Sequence, residues 1–180
     1  MTDIFFYDST PSPGNAGFAH MGPYFTRTLH GNIPHQDMAR MQVNAVITQL
    51  ETLARQHRQG FRFIVFLDHG NVNNQQLGNG MLNLTATNRT VLQRIGRVRC
   101  QRIYFLGCML SRPAAGVAST IGRLVGRDVV GSQATVYAHT ANGMSSDQQW
   151  LRFRANGTCI NEPNQTPNLS MSRFRLQIRP

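Results

Sequence analysis

The stretch "FRFIVFLDHGN", residues 61–71, decides the fold, because an almost unbroken apolar run stops abruptly at Asp68, His69 and Gly70. A strand that is apolar on both faces belongs in the middle of a sheet that is covered on both sides. A second apolar run, "QRIYFLGCMLS", residues 101–111, stops in the same way at Gly107 and Cys108. The two runs predict two buried strands, each of which ends at a side chain suited to acid–base or nucleophilic chemistry.

Strands and helices alternate along the rest of the chain. Apolar residues at helical spacing predict helices over 35–58, 88–98 and 114–125. Apolar or alternating runs predict strands over 2–8, 61–67, 102–106, 128–132 and 173–178. Residues 134–138 are expected to extend the strand at 128–132 or to pair with it, and hairpins are expected over 75–84 and over 150–161. This order predicts one α/β domain over residues 1–180, with a mostly parallel central sheet and a C-terminal antiparallel extension.

The composition is that of a folded chain with a large excess of positive charge. Of the 180 residues, 41% are hydrophobic, and the formal net charge is +10, because 18 basic residues, all arginine, outnumber 8 acidic ones. Guanidinium groups bind phosphate and carboxylate, so an anionic partner is one explanation, and solubility alone is the other. The arginines are scattered and no aromatic-interleaved RNA motif occurs, so nucleic acid is the less favoured partner.

The first residues, "MTDIFFYDSTPSPG", do not have the features of a signal peptide, because they contain two aspartates and no basic residue. No stretch approaches about 18 consecutive apolar residues, so we expect no membrane association. We therefore expect a cytoplasmic protein, or one exported without a classical signal peptide. The three cysteines lack C-x-x-C spacing and the histidines fit no metal motif, so we expect free thiols and no metal or cofactor.

His69 and Cys108 each follow the carboxyl end of a predicted central strand, where open parallel sheets bind their ligands. Their separation (108 − 69 = 39 residues) leaves room for a hairpin and one crossover helix, so the strands can be neighbours. A cysteine attacks as thiolate, and its usual pKa of about 8.5 means that a nearby imidazole or helix N-terminus assists it. The backbone N–H groups of Gly70 and Cys108 are candidate oxyanion donors, because glycine lets the backbone approach a carbonyl closely.

Each of these residues also has a simpler explanation. A cysteine at the end of an apolar strand is often a small buried hydrophobe, and Asp68 either orients His69 or is only a turn residue. It is the joint placement of His69 and Cys108, each beside a glycine, that favours a catalytic pair. Weaker candidates are a histidine at the same sheet edge, a serine without a nearby base, two cysteines expected to be structural, and four histidines without a motif: His139, Ser132, Cys100, Cys159, His57, His20, His30 and His35.

The segments "IVFLDHGN" and "IYFLGCMLS" together resemble the caspase-like cysteine peptidases, the superfamily that includes caspases, gingipains, separase and clostripain-like enzymes. The longer pieces "LDHGNVNNQQLGNGMLNL" and "IGRLVGRDVVGSQATVY" are similar to a bacterial domain of unknown function within that superfamily. The resemblance implies a three-layer α/β/α sandwich in which Cys108 is the nucleophile, His69 its base or thiolate partner, and Gly70 an oxyanion donor. The chain departs from caspases after the cysteine, where Met109 begins a segment without the short glycine-containing turn.

The resemblance therefore predicts a cysteine endopeptidase that acts on a protein or peptide substrate, in a bacterial toxin, defence or exported-effector setting. Two alternatives remain open at this point. The same pair of residues would also suit another acyl transfer or a deamidation, and the fold would also suit a non-catalytic domain. Such a domain would bind nucleic acid or an acidic protein through its arginine-rich surface. The substrate preference, the oligomeric state and the mode of activation stay open.

Overall fold

The computed structural model describes residues 1–10, 34–72, 74–84, 86–109, 117–139, 143–168 and 172–178. The helices within this part are α1 (Val43–Gln56), α2 (Arg89–Arg97) and α3 (Val117–Val125), with a single 3₁₀ turn at Ala86–Asn88. The strands are β1 (Thr2–Tyr7), β2 (His35–Asp37), β3 (Phe61–Leu67), β4 (Asn74–Leu77), β5 (Gly80–Asn83), β6 (Cys100–Phe105), β7 (Asp128–Ser132), β8 (Val136–His139), β9 (Gly143–Ser146), β10 (Trp150–Phe153), β11 (Cys159–Asn161), β12 (Gln165–Asn168) and β13 (Arg173–Leu176).

Seven strands form the central sheet, in the order β11-β10-β7-β6-β3-β1-β2. The five strands from β7 to β2 pair in parallel, and β10 runs antiparallel both to β7 and to β11. Because β3 lies in the middle, both of its faces are covered, which explains why almost every residue of this strand is apolar and buried. The predicted mixed α/β fold with a mostly parallel central sheet is thus confirmed.

The two faces of this sheet have different covers. All three described helices pack on one face, where a stack of aromatic rings crosses three neighbouring strands: the centroids of Phe6 and Phe66 lie 5.2 Å apart, and those of Phe66 and Phe105 5.4 Å apart. On the other face, the cover that the described residues provide is a four-stranded antiparallel sheet, β12-β13-β9-β8. The expected helical layer on both faces, as in an α/β/α sandwich, stays a prediction.

The first helix begins later in the chain than the sequence predicts. Residues 35–58 were expected to be helical, but α1 begins only at Val43, because His35–Asp37 forms the edge strand β2. This strand pairs in parallel with Phe5–Tyr7, and the carboxylate of Asp37 then accepts the backbone N–H of Ala39 at 2.9 Å, which turns the chain toward the helix. Backbone pairing with a distant strand therefore outweighs the helical spacing of the apolar residues here.

The prediction for residues 134–138 is wrong, because this segment neither extends nor pairs with the strand at 128–132. Val136–His139 forms β8 in the second sheet, where it pairs with β9. The chain changes sheets at Ser132, whose hydroxyl accepts the backbone N–H of Ala134 at 3.1 Å and so supports a turn.

The other expected elements are present, with bounds shifted by a few residues. The two predicted hairpins are β4–β5 and β10–β11, and their turns hold Gly78 and Gly157 at φ values of 60° and 88°. The predicted start of the third helix, at residues 114–116, lies outside the described residues. In the described part of the chain, none of the helices has the length and apolar character needed to span a membrane.

Candidate active site

The ends of β3 and β6 bring the segments of His69 and Cys108 together. The ladder between these two neighbouring strands pairs Phe66 with Phe105, and the N–H of Leu106 still donates to the carbonyl of Phe66 at 2.8 Å. The offset of this pairing (105 − 66 = 39 residues) equals the separation of His69 and Cys108 (108 − 69 = 39 residues). The predicted neighbouring strands are therefore real, and both candidate residues follow them at the same edge of the sheet.

Two glycines let the strand ends touch. A Cβ placed on Gly70 would lie 2.8 Å from the Cα of Gly107 and 3.1 Å from the backbone nitrogen of Cys108. A Cβ placed on Gly107 would lie 2.8 Å from the Cα of Gly70 and 2.5 Å from Oε1 of Gln75. The backbone after His69 is therefore in direct contact with the backbone before Cys108, and this contact leaves no room for a side chain at either position.

The backbone of His69 is held on both sides by hydrogen bonds. Its N–H donates to the carboxylate of Asp68 at 2.7 Å, and its carbonyl accepts the N–H of Gln76 at 2.8 Å. The second carboxylate oxygen of Asp68 accepts the N–H of Gly78 at 3.0 Å. Asp68 thus ties the histidine segment to the β4–β5 hairpin, which is a larger role than that of an ordinary turn residue.

Asp68 is almost completely buried, and burial raises its pKa to about 7. The carboxylate of Asp8, which is also buried and follows β1, raises this pKa further, whereas the two backbone N–H groups lower it. Since β1 is the neighbour of β3 and Tyr7 pairs with Leu67, the two aspartates follow adjacent strand ends. The site therefore contains a buried carboxyl group, Asp68, whose ionisation is disfavoured by burial and by the nearby Asp8.

Cys108 is half-buried and packs against the core on the face of the second sheet. The backbone N–H of Val136, the first residue of β8, lies 3.4 Å from the sulfur and points its hydrogen at it. The next residue, Met109, has a φ of 58°, and its N–H donates to the carbonyl of Ala134 at 2.9 Å. Methionine seldom adopts this left-handed region, and residues of this kind cluster at active sites. Arg40 and Ser172, which lie outside the candidate site, also have a positive φ.

The backbone N–H groups of Gly70 and Cys108 donate to no partner in the described part of the chain. Gly70 and Gln75 form a non-hydrogen-bonded antiparallel pair. The flanking hydrogen bonds run from the N–H of Asn71 to the carbonyl of Asn74 and from the N–H of Gln76 to the carbonyl of His69. The two N–H groups predicted as oxyanion donors are thus available, and they belong to segments in direct contact.

Of the weaker candidates, Ser132 lies at the same edge of the sheet, at the carboxyl end of β7, and the other described ones lie on other elements. Burial raises the pKa of the Cys100 thiol to about 11, and Cys159 is exposed on β11. The hydroxyl of Ser132 is hydrogen-bonded to that of Ser146, so it serves a buried turn. His57 packs on the ring of Phe61, with centroids 5.5 Å apart. Two further histidines lie in β2 and at the end of β8, namely His35 and His139, and His20 and His30 lie outside the described residues.

Sequence reasoning missed three features of the site: the left-handed backbone at Met109, the N–H of Val136 and the amide of Gln75. The Gln75 side chain is fully buried, and its Oε1 has no hydrogen-bond partner among the described residues. None of the three has a local signal, because each depends on chain segments that meet only in the folded protein. Asp8 was missed as well, although the sequence indicates it: Asp8 ends the apolar run "IFFYD" as Asp68 ends the next apolar run.

Within the ranges that the structure covers, no group of three or more histidine, cysteine, aspartate or glutamate side chains is arranged to hold a metal ion. Comparisons of the chain with protein-family models, with curated proteins and with solved structures gave no match. The class that the fold defines is therefore a mixed α/β protein with a large, mostly parallel central sheet, and the caspase-like resemblance stays a prediction.

Proposed function

We propose that the chain is a cysteine peptidase of caspase-like α/β/α architecture, with Cys108 as nucleophile and His69 as its base. The observation that carries the proposal is the contact between the two strand ends, where Gly70 lies directly against Gly107 and Cys108. This contact supports a shared site for an imidazole and a thiol from segments that are far apart in the sequence. The substrate class that we propose is a peptide or protein amide.

The proposed reaction begins with transfer of the Cys108 thiol proton to His69. The sulfur attacks the substrate carbonyl carbon, and the electron pair of the C=O bond moves onto oxygen, where the N–H groups of Gly70 and Cys108 would stabilise it. When the C–N bond breaks, His69 returns the proton to the leaving amine, and a water molecule then hydrolyses the thioester. The N–H of Val136, which points at the sulfur, would stabilise the thiolate before attack.

Selective alkylation tests the proposal without a known substrate. With iodoacetamide at pH 7, we expect Cys108 to react at least about tenfold faster than either other cysteine, because only a thiolate is nucleophilic. Cys100 is the buried reference, with a thiol pKa raised to about 11, and Cys159 is the exposed reference. Peptide mapping by mass spectrometry measures all three rates in one sample.

Two variants connect the reactivity to the pair. His69→Ala is expected to lower the alkylation rate of Cys108 about tenfold or more, whereas His57→Ala, at the far end of α1, is expected to leave it unchanged. Circular dichroism checks that both variants fold. If Cys108 reacts no faster than Cys159, or if His69→Ala has no effect, the catalytic pair is refuted, and the non-catalytic arginine-rich domain becomes the better explanation.

A further inference from the structure

A basic pocket lies at the edge of the sheet opposite to the candidate active site. It sits where α2 and α3 end, just before the chain enters β6 and β7, whereas His69 and Cys108 follow the other ends of the strands. The pocket is an open depression with a volume of about 360 Å³. Three arginines and no acidic residue line it: Gln93, Gly96, Arg97, Arg123, Leu124, Val125, Gly126 and Arg127.

Two of the three guanidinium groups are held in position by their Nε atoms. Nε of Arg127 donates to the carbonyl of Gly96 at 3.0 Å, and Nε of Arg123 donates to the carbonyl of Asn156 at 3.1 Å. Arg123 also packs closely against Gly157, where a side chain would collide with the guanidinium. These bonds restrain two guanidinium groups, and the terminal nitrogens of both make no hydrogen bond or ion pair within the described residues.

The carboxylates near this pocket have other partners. Glu51, whose pKa Arg97 helps to lower, accepts two hydrogen bonds from Arg94, at 2.9 and 2.8 Å. Five arginines pair with a carboxylate in the described part of the chain, and none of them lines the pocket: Arg62, Arg94, Arg102, Arg152 and Arg173. None of the three arginines of the pocket therefore forms an ion pair with a described acidic side chain.

The partial negative charges at the C-termini of α2 and α3 are too small to balance the charges of three arginines. A helix C-terminus carries a partial charge of roughly −0.5, so the ends of α2 and α3 together supply roughly −1 against three guanidinium groups. An excess of roughly two positive charges remains over one small concavity, and like charges held together in this way are costly unless an anion joins them. The excess matches the charge of a phosphate group.

We infer that this pocket binds a compact phosphate ligand, such as pyrophosphate or the phosphate chain of a nucleotide, through Arg97, Arg123 and Arg127. Guanidinium groups whose terminal nitrogens have no described partner suit bidentate binding of phosphate oxygens. The three arginines line one small depression, which favours a compact ligand over an extended nucleic-acid strand. The inference is independent of the proposed peptidase activity.

Calorimetric titration of the full chain with pyrophosphate, at fixed ionic strength in a phosphate-free buffer, tests the inference. We expect saturable binding of one equivalent, and we expect Arg123→Gln and Arg97→Gln each to weaken it about tenfold or more, as expected for loss of a charge-assisted hydrogen bond. Arg97 makes no hydrogen bond that is described, so its variant is the one least able to disturb folding. Cys108→Ala is expected to bind as the parent does.

Arg58→Gln is the matched control, because it removes the same charge from an exposed position near the end of α1, outside the pocket. If Arg58→Gln weakens binding as much as the pocket variants do, only net charge is at work and the inference fails. Absence of saturable pyrophosphate binding overturns it as well. A third arm uses a single-stranded oligonucleotide: pocket-dependent binding of the oligonucleotide without binding of pyrophosphate would also contradict a compact phosphate site.

Discussion

At the scale of single residues, glycines rather than charged side chains determine whether the candidate site can form. Gly70 and Gly107 bring two strand ends into backbone contact, and the candidate oxyanion donors belong to these same segments. Any side chain at either position would push the segments of His69 and Cys108 apart. In the proposed site the histidine and the cysteine supply the chemistry, and the absence of two side chains allows their segments to meet.

Gly70→Ala is therefore expected to damage both stability and reactivity. Its Cβ would lie 2.8 Å from the Cα of Gly107, and backbone cannot rotate away as a side chain can, so we expect a loss of about 1–3 kcal/mol in the free energy of unfolding. The alkylation rate of Cys108 is expected to fall several-fold. Urea denaturation and peptide mapping measure the two effects.

Gly80→Ala is the matched control in the neighbouring hairpin. A Cβ there would meet a methyl group of the Val43 side chain at 2.7 Å, and that side chain can move. We expect a smaller loss of stability and no change in the reactivity of Cys108. Equal reactivity of Cys108 in Gly70→Ala and in the parent would show that the glycine contact does not position the site.

The sequence predicts His69, Gly70 and Cys108 because each stands at the end of an apolar run. The sequence gives Asp68 too small a role. Its carboxylate accepts the backbone N–H of Gly78, ten residues away, and a local sequence pattern does not predict that hydrogen bond. The sequence gives no sign of the left-handed backbone at Met109, because such backbone is normally a property of glycine.

At the scale of elements, a buried charge cluster connects the antiparallel extension to the parallel part of the sheet. The side chain of Glu162, which follows β11, is completely buried. It accepts hydrogen bonds from Arg152 of β10 at 2.9 and 3.0 Å and from Arg102 of β6 at 3.3 Å. Since β7 lies between β6 and β10, this single carboxylate bridges three strands.

Glu162→Gln is expected to destabilise the protein by about 3–5 kcal/mol, because it leaves two partly buried guanidinium groups without a counter-charge. Thermal or urea unfolding measures the loss. Asp147→Asn is the control, since the Asp147 carboxylate, which pairs with Arg173, is exposed, and we expect a change of at most about 1 kcal/mol. Similar losses in the two variants would argue against a structural role for the buried cluster.

Periodicity predicts most elements but not their partners. The apolar spacing around α1 starts before the helix itself, and only pairing with β1 converts residues 35–37 into a strand. Likewise, β7 and β8 are both strand-like in sequence, and only the turn at Ser132 and the contact with β9 place them in different sheets. Local spacing records the preferred backbone shape, whereas strand partners depend on chain that lies far away in the sequence.

At the scale of the whole molecule, the buried carboxyl group of Asp68 makes stability depend on pH. The pKa of Asp68 in the folded protein is raised to about 7, whereas an unfolded aspartate has a pKa of about 3.9. The folded state therefore holds a proton that the unfolded state has already lost. The stabilising contribution of this proton is complete below about pH 4 and is lost as the pH rises through 7.

Asp68→Asn removes the carboxyl group that binds this proton in the folded state. We expect the stability of the variant relative to the parent to rise by roughly 2 kcal/mol between pH 5 and pH 7, whatever the absolute cost of the substitution. Asp8→Asn, which removes the neighbouring carboxylate, is expected to lose less stability over this pH range than the parent does. Urea unfolding across this pH range measures both differences, and a parallel pH dependence of parent and Asp68→Asn would contradict the buried, protonated carboxyl.

The sequence by itself determined the α/β class, the central position of β3 and the residues that end the two apolar strands, because these follow from local apolar pattern and from backbone preference. Only the tertiary structure decided which face the helices cover, which sheet β8 joins and how Asp68, Gly107 and Val136 surround the candidate pair. It also brought together the three arginines of the basic pocket from two helix ends. These features depend on contacts between segments far apart in the chain, and such contacts leave no local trace in the order of the amino acids.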